Sequence, residues 1–183
     1  MQTRRTRDRI LDAAEDLFAA QGYQATTIAQ VAQVVGVRGP ALYKHFASKS
    51  DLFERVLERL FAPFAALLQD VDQQGEVQQA IMQQHLANPN VARIVHHATL
   101  SGGEALELLV QRWYLPFFQH TRESLAAGAS PFTPVSVMAM HSMLLGYLTL
   151  APLHQAIFDA EPLSAAALAE LVANAGDDQE VIS

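Results

Sequence analysis

The stretch from Thr26 to Phe53, TTIAQVAQVVGVRGPALYKHFASKSDLF, constrains this chain more than any other. Ile28, Val31, Ala32 and Val35 recur at the spacing of one helix face. Gly36 falls where that helix must end in a left-handed conformation, which glycine adopts without strain. Its missing side chain would also let two helices cross closely. Pro40 follows where a second helix can begin, because its absent N–H would have no partner in a first turn anyway. Two helices of under about ten residues with a turn of about three residues form a helix-turn-helix, whose second helix enters a DNA major groove. The segment therefore points to contact with duplex DNA.

Charge is distributed in keeping with that. Residues 1–60 hold nine Lys/Arg against seven Asp/Glu, whereas residues 61–183 hold three against twelve. A basic end on an acidic body turns one face toward a polyanion. The chain has no cysteine, which excludes disulfides, thiolate metal sites and thiol catalysis. Asp8, Asp12, Glu15 and Asp16 interrupt the N-terminal segment, so no signal peptide is expected. No run has clear membrane character. The closest, residues 132–158, contains His141, His154 and prolines and reads as a buried helix. A cytoplasmic protein is expected. No Gly-rich phosphate loop, GxSxG or paired-carboxylate motif is present, so the chain does not read as an enzyme.

Nearly all of the sequence has helical periodicity. A first helix is expected over residues 4–21, with Ile10, Ala13, Ala14, Leu17 and Phe18 on its apolar face and Gly22 as its stop. A fourth starts at Ser48, with Asp51 three positions on in a capping-box arrangement, and continues toward Val71 with Pro63 as a kink. Short helices are expected over 76–86 and 91–100. A long one follows over 104–127, disturbed near Pro116, and two more over 135–158 and 163–175. The fold class is all-α: a helix-turn-helix domain (1–47), a larger helical domain (48–175) and a disordered tail (176–183).

The first sixty or so residues also carry a resemblance. An Arg-rich arm precedes an amphipathic helix ending in Gly22 and Tyr23. Thr26, Thr27, Ile28, Ala32, Gly36 and Val37 follow, then Leu42, Tyr43, His45, Phe46, Ser48, Lys49 and Leu52. In this order they resemble the TetR-type transcriptional regulators. The resemblance implies a homodimer on a palindromic double-stranded DNA operator, with a small-molecule effector in the C-terminal body and no resident cofactor. It further implies pairing through the last two helices of each subunit.

Val31, Val35, Val37, Leu42 and Phe46 would share a core with Leu17 and Phe18. That leaves Arg38, Gly39, Ala41, Tyr43, Lys44 and His45 for solvent or DNA. Thr27, at a helix start, can meet a phosphate; the resemblance implies the same for Tyr43, His45 and Lys49. Arg38 and Lys44 are candidates for guanine acceptors, and Arg4, Arg5 and Arg7 for an arm along the backbone or minor groove. Where the family commonly has a hydroxyl residue, this chain has Arg38 and Ala41.

In the body, Leu106, Val110, Trp113 and Phe117 fall on one helical stripe, with Tyr114 and Phe118 beside it. Such a stripe is either core or the wall of an apolar pocket. Trp113, Phe117, Met138 and His141 are the candidate effector residues, and Pro116 a bend that opens the cavity. His85, His96, His97, His120, His141 and His154 show no metal-ligand spacing on one helix. A metal- or haem-responsive regulator remains the alternative reading, with a helical enzyme behind it. Leu144, Leu145, Leu148 and Leu153, with Gly146, Ala151 and the Ala-rich segment 165–172, read as an association surface.

Overall fold

A computed structural model describes residues 6–67, 81, 83–128, 133–159, 164, 166–167 and 170. Among them the regular structure is all helical: α1 (Thr6–Ala25), α2 (Ile28–Val35), α3 (Gly39–Leu42), α4 (Lys49–Leu67), α5 (Asn90–Ser101), α6 (Gly103–Leu109), a π turn (Val110–Tyr114), α7 (Leu115–Phe117), α8 (Gln119–Ala126) and α9 (Pro134–Phe158). Residues 83–87 are also helical. Arg4, Arg5, most of the segment 163–175 and the tail lie outside the described residues.

The chain divides into two compact units. The first comprises Met1–Pro63 and Arg93–Phe117, the second Phe64–Ala92 and Phe118–Ser183. In the first, the apolar face of α1 buries Ile10, Ala14 and Phe18, and α4 contributes Leu52, Phe53, Val56 and Leu57. Phe53 lies edge-on to Phe18 with ring centroids 4.9 Å apart and tilts against Tyr23 at the same separation. Each of the larger side chains among these, the Ile, Leu, Val and Phe, contributes about 1.5–3 kcal/mol of transfer free energy. Arg59 of α4 reaches across to α1, pairing with Asp12 at 2.7 Å and with the buried carboxylate of Glu15.

Gly22 leaves helical geometry as expected (φ 79°, ψ 171°), but α1 then adds a further turn through Ala25. Such dihedrals are open only to glycine. A Cβ at Gly22 would also stand 3.2 Å from the His97 ring. Gly36 has a different reason to be glycine. It closes α2 at φ 75°, its N–H donating to Gln33 O and that of Val37 to Ala32 O, a Schellman closure. Apart from its chain neighbours, no residue comes within 4 Å of a Cβ built there, so the expectation that Gly36 permits close helix crossing is not met.

Two further expectations are corrected. Residues 104–127 do not form one helix. Pro116 cannot donate to the carbonyl four residues before it, and the chain upstream widens into the π turn, where the Leu115 N–H bonds to Val110 O. Nor is α9 a buried helix. Val135, Met143, Leu150, Leu153, Ile157 and Phe158 are exposed in the chain, whereas Leu148 and Ala151 are buried.

The two glycines differ in what a methyl group would cost. Gly36→Ala should lose about 1 kcal/mol from the left-handed φ alone. Gly22→Ala should lose more, about 2–4 kcal/mol, through forbidden dihedrals and the His97 contact. Urea unfolding of the two variants side by side measures the difference, which vanishes if Gly22 relaxes into the helix.

Candidate nucleic-acid interface

Thr27 opens α2. Its hydroxyl accepts from the Gln30 N–H at 3.2 Å, and the Gln30 side chain accepts from the Thr27 N–H at 2.8 Å. This is a reciprocal capping box. The T-x-x-Q signature was present in the sequence as its signal. At the other end of α2, Arg9 of α1 donates to Val35 O at 2.7 Å, a cation placed on a helix C-terminus.

After Gly36 the chain passes through Arg38, extended at φ −78°, into the single turn of α3 with Pro40 in its first turn. Leu42 and Phe46 are buried and fix α3 from beneath. The Leu42 carbonyl accepts from both His45 and Phe46 N–H groups, ending the turn. Arg38, Tyr43, Lys44 and His45 remain exposed, with Tyr43 at 57%; Gly39 and Ala41 are half-buried. Val31, Val35 and Phe18 join the buried core as expected, whereas Val37 and Leu17 are only half-buried. From Leu17 to Ser50 the sequence contains no acidic residue at all. The Arg7 guanidinium lies 5.4 Å from the centroid of the Phe46 ring, the underside of this crown.

Ser48 and Asp51 cap α4, although not in the reciprocal form expected. The Asp51 N–H donates to Ser48 Oγ at 3.0 Å, while the shorter Asp51 carboxylate accepts from the Ala47 N–H at 2.8 Å. Lys49 was expected to face phosphate. Its ammonium donates to Tyr23 O (2.9 Å) and Thr26 O (3.2 Å) and lies 4.2 Å from the Tyr23 ring centroid. Two of its three protons are thereby engaged within the chain. Beside it the Tyr23 hydroxyl donates to Glu104 Oε2 at 2.7 Å. Burial, then the Glu104 carboxylate, pushes the Tyr23 phenol up to about 12, while hydrogen bonds from Ser50 and Tyr23 hold Glu104 below its usual value. Glu104 opens α6, so α1, α4 and α6 meet at one polar knot. Sequence spacing carries no signal for it, since Tyr23 and Glu104 are separated by 81 positions.

The candidate effector residues divide between the two units. In the first, Trp113 stacks on Phe61 with centroids 5.6 Å apart, and Tyr114 meets the same ring edge-on at 6.0 Å. Phe117 is half-buried. In the second unit, His141 lies edge-on to Phe118 at 5.8 Å, and His85 edge-on to Phe64 at 4.7 Å. Burial lowers the pKa of both imidazoles, and the nearby His85 lowers that of His141 further. Met138 is 64% exposed, so in the single chain it lines no interior surface. Among the described residues, no three His, Cys, Asp or Glu side chains gather as a metal site.

The knot makes two measurable differences. Lys49→Ala leaves two carbonyls without their donor and should cost about 1–3 kcal/mol in urea unfolding. The raised Tyr23 phenol contributes stability that is complete below about pH 10 and is lost as pH rises through about 12. Tyr23→Phe should abolish that alkaline loss; identical pH profiles for the two proteins would remove the phenol from the account.

Known proteins supply an independent comparison. Residues 10–56 match the family model described as bacterial regulatory proteins, tetR family. The repressor ComR of Escherichia coli K12 is 43% identical over 60 residues, covering 33% of this chain and 29% of that protein. The regulator AcrR of Shigella flexneri is 42% identical over 57 residues, covering 31% and 26%. These matches span less than a third of the relatives' length. Over nearly the whole chain the fold is similar to that of the fatty acid degradation regulator FadR from Bacillus halodurans, with a TM-score of 0.61, 19% identity and 94% of each chain covered. It is also similar to a transcriptional regulator from Aquifex aeolicus VF5, with a TM-score of 0.59, 18% identity and coverage of 98% and 100%. Residues 10–56 thus match the tetR family of bacterial regulatory proteins, and the fold of the chain is similar to that of solved regulators.

Proposed function

We propose that the protein is a cytoplasmic transcriptional repressor that binds a palindromic operator as a homodimer and leaves it when a small, largely apolar effector occupies the body. The observation that carries the reading is the exposed crown of Arg38, Tyr43, Lys44 and His45, free of acidic neighbours in sequence and held from beneath by Leu42 and Phe46. Residues 1–47 read the DNA, and residues 48–175 bind the effector and the partner subunit.

Thr27, Tyr43 and His45 position the phosphate backbone, and Lys49 has one proton left for it. Arg4 and Arg5 extend that contact as an arm. Arg38 and Lys44 address base edges, while Gly39 and Ala41 let the duplex approach α3 closely. Trp113 and Phe117 in the first unit and, separately, His141 in the second are the candidate effector residues in this reading; Met138 lies on an outer face.

The partner subunit has a surface to meet on α9. Ala139, Met143, Gly146, Leu150, Leu153 and Ile157 repeat at alternating spacings of four and three. Most of these side chains are exposed. This is the seam of a helix-pairing interface, with Gly146 allowing close approach. It replaces Leu148 and Ala151, which the chain itself already buries.

Selection from random duplexes, followed by mobility-shift titration at several salt concentrations, tests the DNA reading. Lys49→Ala should weaken all sequences alike and flatten the salt slope by about one unit, whereas Arg38→Ala should relax base choice by about 1–3 kcal/mol at one position. Protein that retains no duplex even at low ionic strength would exclude the proposal. For the seam, Leu153→Glu together with Ile157→Glu should sediment as a monomer and lose about a hundredfold in operator affinity. A dimer that persists would place the interface elsewhere.

A further inference from the structure

Trp113 is the only tryptophan in the chain, and its indole nitrogen is buried without a hydrogen-bond partner. Leaving a buried donor unpaired costs about 1–3 kcal/mol, and native proteins tolerate few such atoms. A phenylalanine would stack on Phe61 without that cost. The donor sits within the π turn, whose wider winding displaces Trp113 from the register an α-helix would give it. Around it the surface is aromatic: the Phe61 face at 5.6 Å and, against the same ring, Tyr114. Burial pushes the Tyr114 phenol above its ordinary range, which marks surroundings that penalise charge. The nearest cation in sequence, Arg112, is paired with Glu54 at 3.3 Å.

We propose that Trp113 Nε1 is the recognition donor of the effector site, and that the effector is an apolar molecule bearing a neutral hydrogen-bond acceptor, such as a ketone or ester carbonyl, laid against Phe61. The assignment rests on the reading of the body as an effector domain. A carboxylate is the poorer ligand, because the adjacent cation, Arg112, is already paired with Glu54 and does not offset its desolvation. A pure hydrocarbon is poorer too, since it leaves the indole N–H as costly as before. The site therefore selects for one acceptor atom on an otherwise apolar frame.

The single tryptophan makes the test direct on the full-length protein without DNA. Methyl ketones of graded chain length and aryl methyl ketones would be titrated beside their 1,1-disubstituted alkene isosteres and the matching carboxylates. Binding is followed by the one indole N–H resonance in a nitrogen-15 spectrum. Ketones should move that resonance downfield and bind about tenfold more tightly than their alkene isosteres. In Trp113→Phe the ketone-to-alkene ratio, read from thermal shifts, should fall to about one, with stability in the absence of ligand equal or higher. The proposal is overturned if no ketone moves the resonance, if carboxylates bind more tightly, or if the ratio survives in Trp113→Phe. Should that variant fail to fold, the resonance of the natural protein still decides. Operator binding is measured separately, so loss of the DNA reading and loss of this site appear as different results.

Discussion

The Lys49 ammonium sits where the end of α1, the approach to α2 and the start of α4 converge, donating to Tyr23 O and Thr26 O. A cation in the first turn of a helix opposes that helix's own dipole, and Asp51 in the same turn offsets part of this. The carbonyls at the end of α1 are the complementary partial charge, so the lysine is stabilised by one helix while belonging to another. Everything above it inherits this placement. α2 is entered through Thr26 and Thr27, α3 is seated on Phe46, and α4 begins two residues later at Ser48 and Lys49. A reading helix of a single turn has no stability of its own, since isolated helices need about 12–15 residues even when composed of good formers. Its geometry is a property of the frame.

What could be read from the sequence followed the physics of local patterns. The apolar spacing of α1, α2 and α4, the left-handed closure at Gly36 and the cap at Ser48 each depend on residues within a few positions of one another. Interactions between distant polar groups did not follow. Nothing in the spacing of Tyr23 and Glu104 announces a 2.7 Å bond, and Lys49 looked free because its partners are backbone carbonyls, which every residue has. Pro116 was visible as a disturbance, but the response lies upstream of it, in the turn whose carbonyl lost its donor. α9 was opaque for another reason. Apolar on nearly every side, it has no polar face to show which side is turned inward, and only the burial of Leu148 and Ala151 reveals it.

The chain's net charge of −7 would by itself discourage approach to a polyanion. At physiological ionic strength, however, a charge is felt over about 8 Å, so a phosphate near α3 responds to Arg38, Lys44 and their neighbours rather than to the total. The gap in acidic residues from Leu17 to Ser50 is therefore more informative than the overall balance. Three acidic groups near its ends are also committed within the chain. Asp12 and Glu15 hold Arg59, and Asp51 caps α4 and pairs with Arg55.

The aromatic corner and the reading frame share their supports. Phe61 and Lys49 stand twelve positions apart on α4, about 18 Å along a helix axis. Glu54, between them, pairs with Arg112 in the π turn, and that turn continues directly from α6, whose first turn carries Glu104 to the Tyr23 hydroxyl. Trp113 is thus connected to the helix-turn-helix by two chains of contacts, one down α4 to Lys49 and one down α6 to Tyr23. Both routes end at the same pair of residues, the ammonium and the ring it lies over. An effector can use this arrangement only through its difference in affinity for two orientations of these helices, whatever its total affinity. Tight stacking on Phe61 alone would hold ligand without moving the operator equilibrium. In the proposed reading, an acceptor that engaged the indole in one orientation and lost it in the other would supply that difference.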